Sequence, residues 1–302
     1  MKRSVILMGG KTYVLSLPSQ WIKKYSIQKG EELDLEEKDN SIIVRTEKNP
    51  EIKEVELNFS SLDIMLGRAV GALYKAGYSR AKIHYETKQQ LQKIEETLQR
   101  TLIGFAITKQ EKNYIIIESL AEIKAEEFDA SLKRMFYSLE SMHEELLSAL
   151  ASFDHKALQA VIEKDGQINR LADFCRRVVN SGQTQFLVKP GVLYYVVEQL
   201  ERIGDLYKET AGLALEKKVQ MNASLLKLFK EIQALFVEYR ILFYNFQFEN
   251  FEAFGVHFTS LQQRLLIYLE RGSLEEKFFV VQQKHLLEQI IDLNGALLTL
   301  HV

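Results

Sequence analysis

Cysteine and proline are scarce in this chain, and no segment is apolar for long enough to cross a membrane. The single cysteine, Cys175, cannot form an internal disulfide, which fits a reducing compartment. Three prolines argue against proline-rich linkers and favour long continuous helices. The apolar stretch IQALFVEYRILFYNFQF is interrupted by Glu238 and Arg240, and the N-terminus is too short an apolar run for a signal peptide. We therefore predict a cytoplasmic protein.

A large excess of charge of one sign is also missing. The formal net charge is −2, so any surface that binds nucleic acid has to be local. Hydrophobic residues make up 46% of the chain and charged residues 26%, which is typical of a folded globular protein. The length allows two or three domains.

Residues 1–48 alternate apolar and polar positions in the manner of β-strands. Gly9-Gly10 predicts a turn between SVILM and TYVLSL, PSQWIKKY predicts a short helix, and EELDLEE and SIIVRT predict a second hairpin. The predicted order is ββαββ. So short a unit, with no disulfide and no metal motif, makes a poor core by itself. We therefore expect it to pair with a second copy in a homodimer.

Positive charge is concentrated at the start of this segment, where no acidic residue precedes Glu31. A dimer would double the patch, and clustered lysine and arginine attract the phosphate backbone of DNA. A solvated basic face without a DNA partner would show the same pattern, and the charge alone leaves both possibilities open. The candidate DNA-binding residues are Lys2, Arg3, Lys11, Lys23 and Lys24.

The stretch GGKTYVLSLPSQWIKKYSIQKGEELDL resembles the SpoVT/AbrB-type swapped-hairpin domain. In that family two chains exchange hairpins to form one β-barrel, and the basic face of the barrel commonly binds DNA. The resemblance therefore implies half of a barrel, dimerisation and DNA binding. It is carried by Gly10, Tyr13, Ser16, Leu17, Pro18, Trp21, Gly30 and Glu31.

In the rest of the chain, the predicted secondary structure changes near residue 121 from mixed strands and helices to helices. Residues 49–120 predict the order βαβαββ of a small α/β connector domain. Residues 121–302 show almost no strand signal, and their apolar residues recur every three or four positions, as in amphipathic helices. The predicted fold class is therefore multi-domain α+β, with half of a swapped-hairpin barrel, a small α/β unit and an all-α C-terminal region.

The helical region contains an internal repeat. LERIGDL, with Glu201 and Asp205, returns as LEQIIDL, with Glu288 and Asp292, at an offset of 87 residues. The repeat predicts two groups of three helices, at about 121–216 and 217–302.

Acidic residues lie one helical turn apart beside the apolar stripes. Glu201 and Asp205 share a helix face, and Asp165 and Asn169 have the same spacing on the preceding helix. If these helices run antiparallel, four oxygen-bearing side chains converge, and half-buried carboxylates need a cation. A metal held by carboxylates, ion pairs with arginine, and direct recognition of a partner are the three alternatives. The arginines within reach are Arg170, Arg176, Arg177 and Arg202.

The segments VIEKDGQIN and LERIGDL resemble the first repeat of PhoU proteins, the negative regulators of phosphate uptake. Their fold is two three-helix bundles in tandem, and their motifs bind metal clusters in some members. In the second repeat, Ser260 and Arg264 stand where acids are expected. The resemblance implies a divalent or iron-type metal at Asp165, Asn169, Glu201, Asp205, Glu288 and Asp292.

Signatures of catalysis are absent from the sequence. Glu140 and His143 form one helical Glu-x-x-His, whereas di-iron bundles use two, and no G-x-S-x-G occurs. Fusions of AbrB-type domains with PhoU-like bundles are a known archaeal architecture. We predict a non-enzymatic regulator of phosphate uptake that acts as a dimeric DNA-binding transcription regulator. The alternative is an interaction adaptor for a phosphate transporter or sensor kinase, whose N-terminal domain serves only dimerisation.

Overall fold

The computed structural model describes residues 2–38, 40–46, 53–120, 126–181, 187–218 and 221–302. The chain divides into two compact units, Met1–Lys53 and Glu54–Val302. The domain boundaries predicted near residues 48 and 121 lie outside the described residues, so the division into three domains stays a prediction.

The N-terminal unit contains two β-hairpins and a short helix. In its first hairpin Val5 lies opposite Leu15, and Gly9 and Gly10 adopt the positive φ that glycine tolerates in such turns. The described strands of this unit form two separate two-stranded sheets, one from each hairpin, and confirm the predicted order ββαββ. The elements are β1 (Val5–Met8), β2 (Thr12–Leu15), α1 (Ser19–Lys24), β3 (Asp34–Lys38) and β4 (Ser41–Arg45).

None of the described side chains between residues 2 and 46 is buried. The apolar side chains of β1 are more than half exposed on both faces of the strand, and Tyr13 of β2 is 75% exposed. A stable antiparallel sheet buries at least one of its faces. The described residues of this unit therefore form no core by themselves, as expected of half of a barrel.

The second unit begins with a four-stranded sheet and two helices. The strand order is β5-β6-β8-β7, with β5 parallel to β6 and the other pairs antiparallel. Ala81 and Ile83 of β6 are buried in a core with Val70, Tyr74 and Ile94 of the helices. The order βαβαββ is confirmed. The elements are β5 (Glu54–Asn58), α2 (Leu66–Lys75), β6 (Arg80–His84), α3 (Lys88–Thr101), β7 (Phe105–Gln110) and β8 (Tyr114–Ser119).

Long helices form the remainder of this unit and confirm the predicted tandem bundles. α4, α5 and α6 pack together, α7, α8 and α9 pack together, and the two groups meet through α4 with α7 and α6 with α9. Buried residues recur every three or four positions, as in Leu132, Met135 and Leu139 of α4. The helices are α4 (Glu126–Ser152), α5 (His155–Asn180), α6 (Pro190–Lys217), α7 (Ala223–Tyr244), α8 (Phe248–Arg271) and α9 (Leu274–His301).

A histidine is fully buried in the first bundle. The ring of His143 on α4 lies against Tyr207 of α6, with ring centroids 4.6 Å apart. Within the described residues, neither ring nitrogen of His143 nor the hydroxyl of Tyr207 has a hydrogen-bond partner. Burial lowers the pKa of His143 to about 3, so the imidazole is neutral in the folded protein near neutral pH.

Arg177 of α5 joins the α/β part of this unit to the bundle. Its guanidinium is buried and donates hydrogen bonds to the backbone carbonyls of Tyr74, at 3.0 Å, and Tyr78, at 2.6 Å. These carbonyls lie at and just beyond the C-terminal end of α2, where partial negative charge stabilises a cation. Gly77 follows α2 with φ +81°, and a Cβ built there would lie 2.9 Å from the carbonyl oxygen of Asn180. The end of α2 therefore fits closely against the end of α5.

Candidate functional site

Acidic residues of the first repeat come together between α5 and α6. The Nζ atom of Lys208 lies 2.8 Å from Oδ2 of Asp165 and 2.6 Å from Oδ1 of Asp205. The amide of Asn169 donates to the same Asp165 oxygen at 3.0 Å. The two helices thus place Asp165 and Asp205 around one ammonium group, with Asn169 hydrogen-bonded to Asp165.

Glu201 lies beside this cluster and faces an arginine. Its carboxylate is 3.6 Å from Nη2 of Arg176, which is buried and also donates to Asp173 at 2.8 Å and to Glu198. Burial raises the pKa of Glu201, Arg176 opposes that change, and the charge of Asp205 adds to it. Glu201 therefore belongs to a network of ion pairs centred on Arg176.

Lys208 is the residue that sequence reasoning missed. Burial lowers its pKa, but its hydrogen bonds to Asp165 and Asp205 raise the pKa by more, so the ammonium stays charged. The sequence spacing could have indicated the Lys208–Asp205 pair, because Lys208 follows Asp205 by three positions and therefore shares its helix face. Of the predicted arginines, Arg176 contacts Glu201, and Arg202 lies 3.9 Å from Asp205.

Whether a metal ion fits this cluster depends on its unpaired side-chain oxygens and on the position of Lys208. Oδ1 of Asp165 and Oδ1 of Asn169 are buried without a hydrogen-bond partner, which would suit a cation. However, the ammonium of Lys208 already lies between the two aspartates. In the described part of the chain, no group of three or more His, Cys, Asp or Glu side chains could hold a metal ion. The side chains as arranged do not fit a metal, and the metal assignment stays a prediction.

The acidic pair of the second repeat gathers no comparable cluster. Glu288 forms an ion pair with Lys284 on its own helix, and Asp292 is exposed. On the preceding helix Ser260 is exposed and Arg264 pairs with Glu231. The two positions that lack acids in the sequence thus supply no carboxylate toward Glu288 and Asp292.

The predicted DNA-binding residues are all exposed in the N-terminal unit. Lys2 and Arg3 precede β1, and Lys11 lies in the turn after it. Lys23 and Lys24 occupy the last turn of α1, where cations are favourable for the helix. Their exposure leaves these side chains accessible to a large polyanion such as DNA.

Two segments of the chain match known protein families. Residues 6–52 match MazE, the antidote-toxin recognition domain of bacterial antitoxins, and residues 132–214 match the PhoU domain. A similar solved structure is a PhoU-like phosphate regulatory protein from Shewanella oneidensis MR-1. It is 11% identical, the alignment covers 56% of this chain and 96% of that chain, and the TM-score is 0.35. No curated protein matches the chain.

No helix within the described ranges combines the length and apolar character needed to span a bilayer. The match at residues 6–52 agrees with the SpoVT/AbrB-type resemblance, because the two are domains of one type. The chain therefore contains one segment similar to MazE/AbrB-type domains and a second segment similar to the PhoU domain, which confirms both resemblances inferred from its sequence.

Proposed function

We propose that the chain is a non-enzymatic, cytoplasmic regulator of phosphate uptake that binds DNA as a homodimer and thereby controls transcription. The observation that carries this proposal is the N-terminal unit, which combines exposed basic residues with apolar strands left uncovered within one chain. A second copy that covers the strands would bring the basic residues of two chains together in one dimer. The PhoU-domain match supports the link to phosphate, and PhoU-like regulatory proteins are generally non-enzymatic.

The contact with DNA would be mainly to the phosphate backbone. Lysine and arginine bind phosphate oxygens and so position a protein on the duplex, whereas base edges supply sequence specificity. Each phosphate that is neutralised releases counterions, so the logarithm of the binding constant falls by about 0.9 per contact for each tenfold rise in salt. A homodimer held together by apolar strands responds far less to salt, because buried apolar contacts are not screened.

Fluorescence anisotropy of a labelled DNA duplex, measured over a range of salt, tests this function. Wild type should bind with a steep salt dependence, and Lys23→Glu/Lys24→Glu should weaken binding by more than about 100-fold, because two cations per chain become anions. The matched control is Lys88→Glu/Lys112→Glu, two exposed lysines of the second unit, which should bind like wild type. If the Lys23/Lys24 variant keeps the wild-type affinity and salt slope, the assigned contacts are wrong.

Exposed apolar side chains on the second bundle favour one alternative function. Val256 and Ile267 of α8 are more than half exposed, and Phe278 of α9 is 42% exposed. Exposed apolar surface commonly marks a protein-binding site. In this alternative the chain is an adaptor for a phosphate transporter or sensor kinase, and the N-terminal unit serves only dimerisation. A salt-resistant dimer that shows no salt-dependent DNA binding would favour the adaptor.

The predicted metal at Asp165, Asn169, Glu201 and Asp205 would require Lys208 to be displaced. We expect Lys208→Met to bind Mn²⁺ more tightly than wild type by at least about tenfold, since the competing ammonium is gone. Titration calorimetry and metal analysis by plasma mass spectrometry measure this, with Glu201→Gln/Asp205→Asn as the control that removes the ligands. Stoichiometric metal in wild type that is lost in this control would show that the acids are ligands despite Lys208.

A further inference from the structure

A groove at the junction of the α/β part and the first bundle carries more positive than negative charge. It runs between α2 and α3, reaches Asp173 of α5, and has a volume of about 370 Å³. This volume falls within the range of sites that hold small organic ligands. Its charged lining consists of the cations Arg68, Lys75, Lys93 and Arg100 and the carboxylates Glu96 and Asp173.

The two carboxylates neutralise these cations only weakly. Lys75 is 3.8 Å from Asp173, and Lys93 is 4.0 Å from Glu96, so both pairs are at the outer limit of an ion pair. Asp173 is held more closely by Arg176, at 2.8 Å. Within the described residues, neither Arg68 nor Arg100 has a carboxylate at ion-pairing distance. Two guanidinium groups are therefore available to an anion from solution.

Space for a ligand exists over Gly71. This glycine of α2 is buried, yet a Cβ built on it would meet no heavy atom within 4 Å. At Gly67, one turn earlier, a Cβ would come within 3.1 Å of Oγ1 of Thr97, so α2 and α3 are close together there. The helices thus close the groove at Gly67 and leave a recess at Gly71. Glycine disfavours a helix, but at position 71 its lack of a side chain leaves this recess open.

We propose that this groove binds the phosphate group of a small ligand. Guanidinium groups match the oxygens of a phosphate with paired hydrogen bonds, which suits Arg68 and Arg100 to this role. Ile64, which is 90% exposed at the rim, offers apolar surface to the rest of an organic phosphate. A ligand held here contacts α2 and α3 of the α/β part and α5 of the bundle. It would also lie beside Asp173, whose partner Arg176 contacts Glu201.

Titration calorimetry on the full chain tests the site, with ADP, inorganic phosphate and sulfate as separate probes. We expect saturable binding of one ADP or one phosphate per chain, with sulfate as a competing oxyanion of the same shape. Arg68→Gln/Arg100→Gln should lower the affinity by at least about tenfold for each charged hydrogen bond lost. Lys88→Gln/Lys112→Gln removes two exposed cations of the same α/β part outside the groove and should leave the affinity unchanged.

A second variant tests the shape of the site. Gly71→Leu should fill the recess and abolish binding, and it should not unfold α2, because leucine is the better helix former. Tighter binding of ADP than of phosphate identifies an organic phosphate, and binding of phosphate alone identifies the free ion. Absence of saturable binding, or binding unchanged in both groove variants, would overturn the proposal. Calorimetry needs no DNA, so the outcome is independent of the proposed transcriptional role.

Discussion

Replacing His143 by phenylalanine should make the helical bundle less sensitive to acid. His143 is fully buried, has no hydrogen-bond partner among the described residues, and lies against the ring of Tyr207. Phenylalanine keeps an aromatic ring in this place and removes two buried ring nitrogens. Near neutral pH we expect the variant to be at least as stable as wild type, because unpaired buried polar atoms are unfavourable.

The size of the acid effect follows from the pKa of the imidazole. Its ordinary value is 6.5, and burial lowers it to about 3 in the folded protein. As the pH falls below 6.5 the unfolded chain gains a proton that the folded protein cannot accept, so wild type loses stability in acid. The loss is about 1.4 kcal/mol per pH unit, or about 2.7 kcal/mol at about pH 4.5. The stabilisation that depends on a neutral His143 is fully present above pH 6.5 and disappears as the pH falls toward 3.

Urea unfolding at about pH 7 and about pH 4.5 measures this effect. Circular dichroism at 222 nm follows the long helices, whereas the single tryptophan, Trp21, reports on the N-terminal unit. The decrease in unfolding free energy between the two pH values should be smaller in His143→Phe by about 2.7 kcal/mol. The control Met142→Leu changes a buried neighbour without a titrating group and should keep the wild-type pH dependence.

Two results would refute this reasoning. Equal losses of stability in wild type and His143→Phe would mean that the folded protein accepts the proton at no cost. Titration of the His143 ring signals by NMR near pH 6.5 in the native protein would show directly that burial leaves the pKa of the imidazole at its ordinary value.

Two further predictions concern the joint between α2 and α5. Arg177→Met should lower the unfolding free energy by about 2 kcal/mol in urea, because the carbonyl of Tyr78 loses a charged donor inside the protein. An unchanged urea midpoint would mean that water replaces the guanidinium at no cost. Gly77→Ala should cost about 2 kcal/mol, since a left-handed backbone and a close approach to Asn180 both oppose a Cβ. Gly212→Ala, in an open position within α6, should stabilise slightly, and equal melting temperatures for the two variants would contradict the argument.

The long helices could be predicted because their core positions recur at a regular spacing. Leu132, Met135 and Leu139 show the pattern on α4, and the acids of α5 and α6 lie on the inner faces as their spacing indicated. Spacing could not decide what neutralises those acids. The answer depends on the reach of Lys208 across to Asp165, 43 residues away along the chain.

Arg177 shows why other features could not be predicted. Sequence reasoning placed it among the arginines able to pair with the acidic cluster. In the structure it instead caps α2, by contact with a carbonyl 103 residues earlier. Every residue type has a backbone carbonyl, so no pattern in the sequence marks the carbonyls of Tyr74 and Tyr78 as partners of Arg177. His143 likewise has no local signal, because its burial depends on how α4 and α6 pack.

The uncovered strands of the N-terminal unit have a consequence for the amount of protein in the cell. The second unit has its own core within one chain, whereas the N-terminal unit in the proposed dimer is completed only when two chains meet. When most chains are single, the dimer increases with the square of the chain concentration, so halving the chain level lowers it about fourfold. Synthesis and degradation of the chain would therefore change the concentration of the DNA-binding dimer more steeply than the total concentration of the chain, and no ligand is needed for this effect.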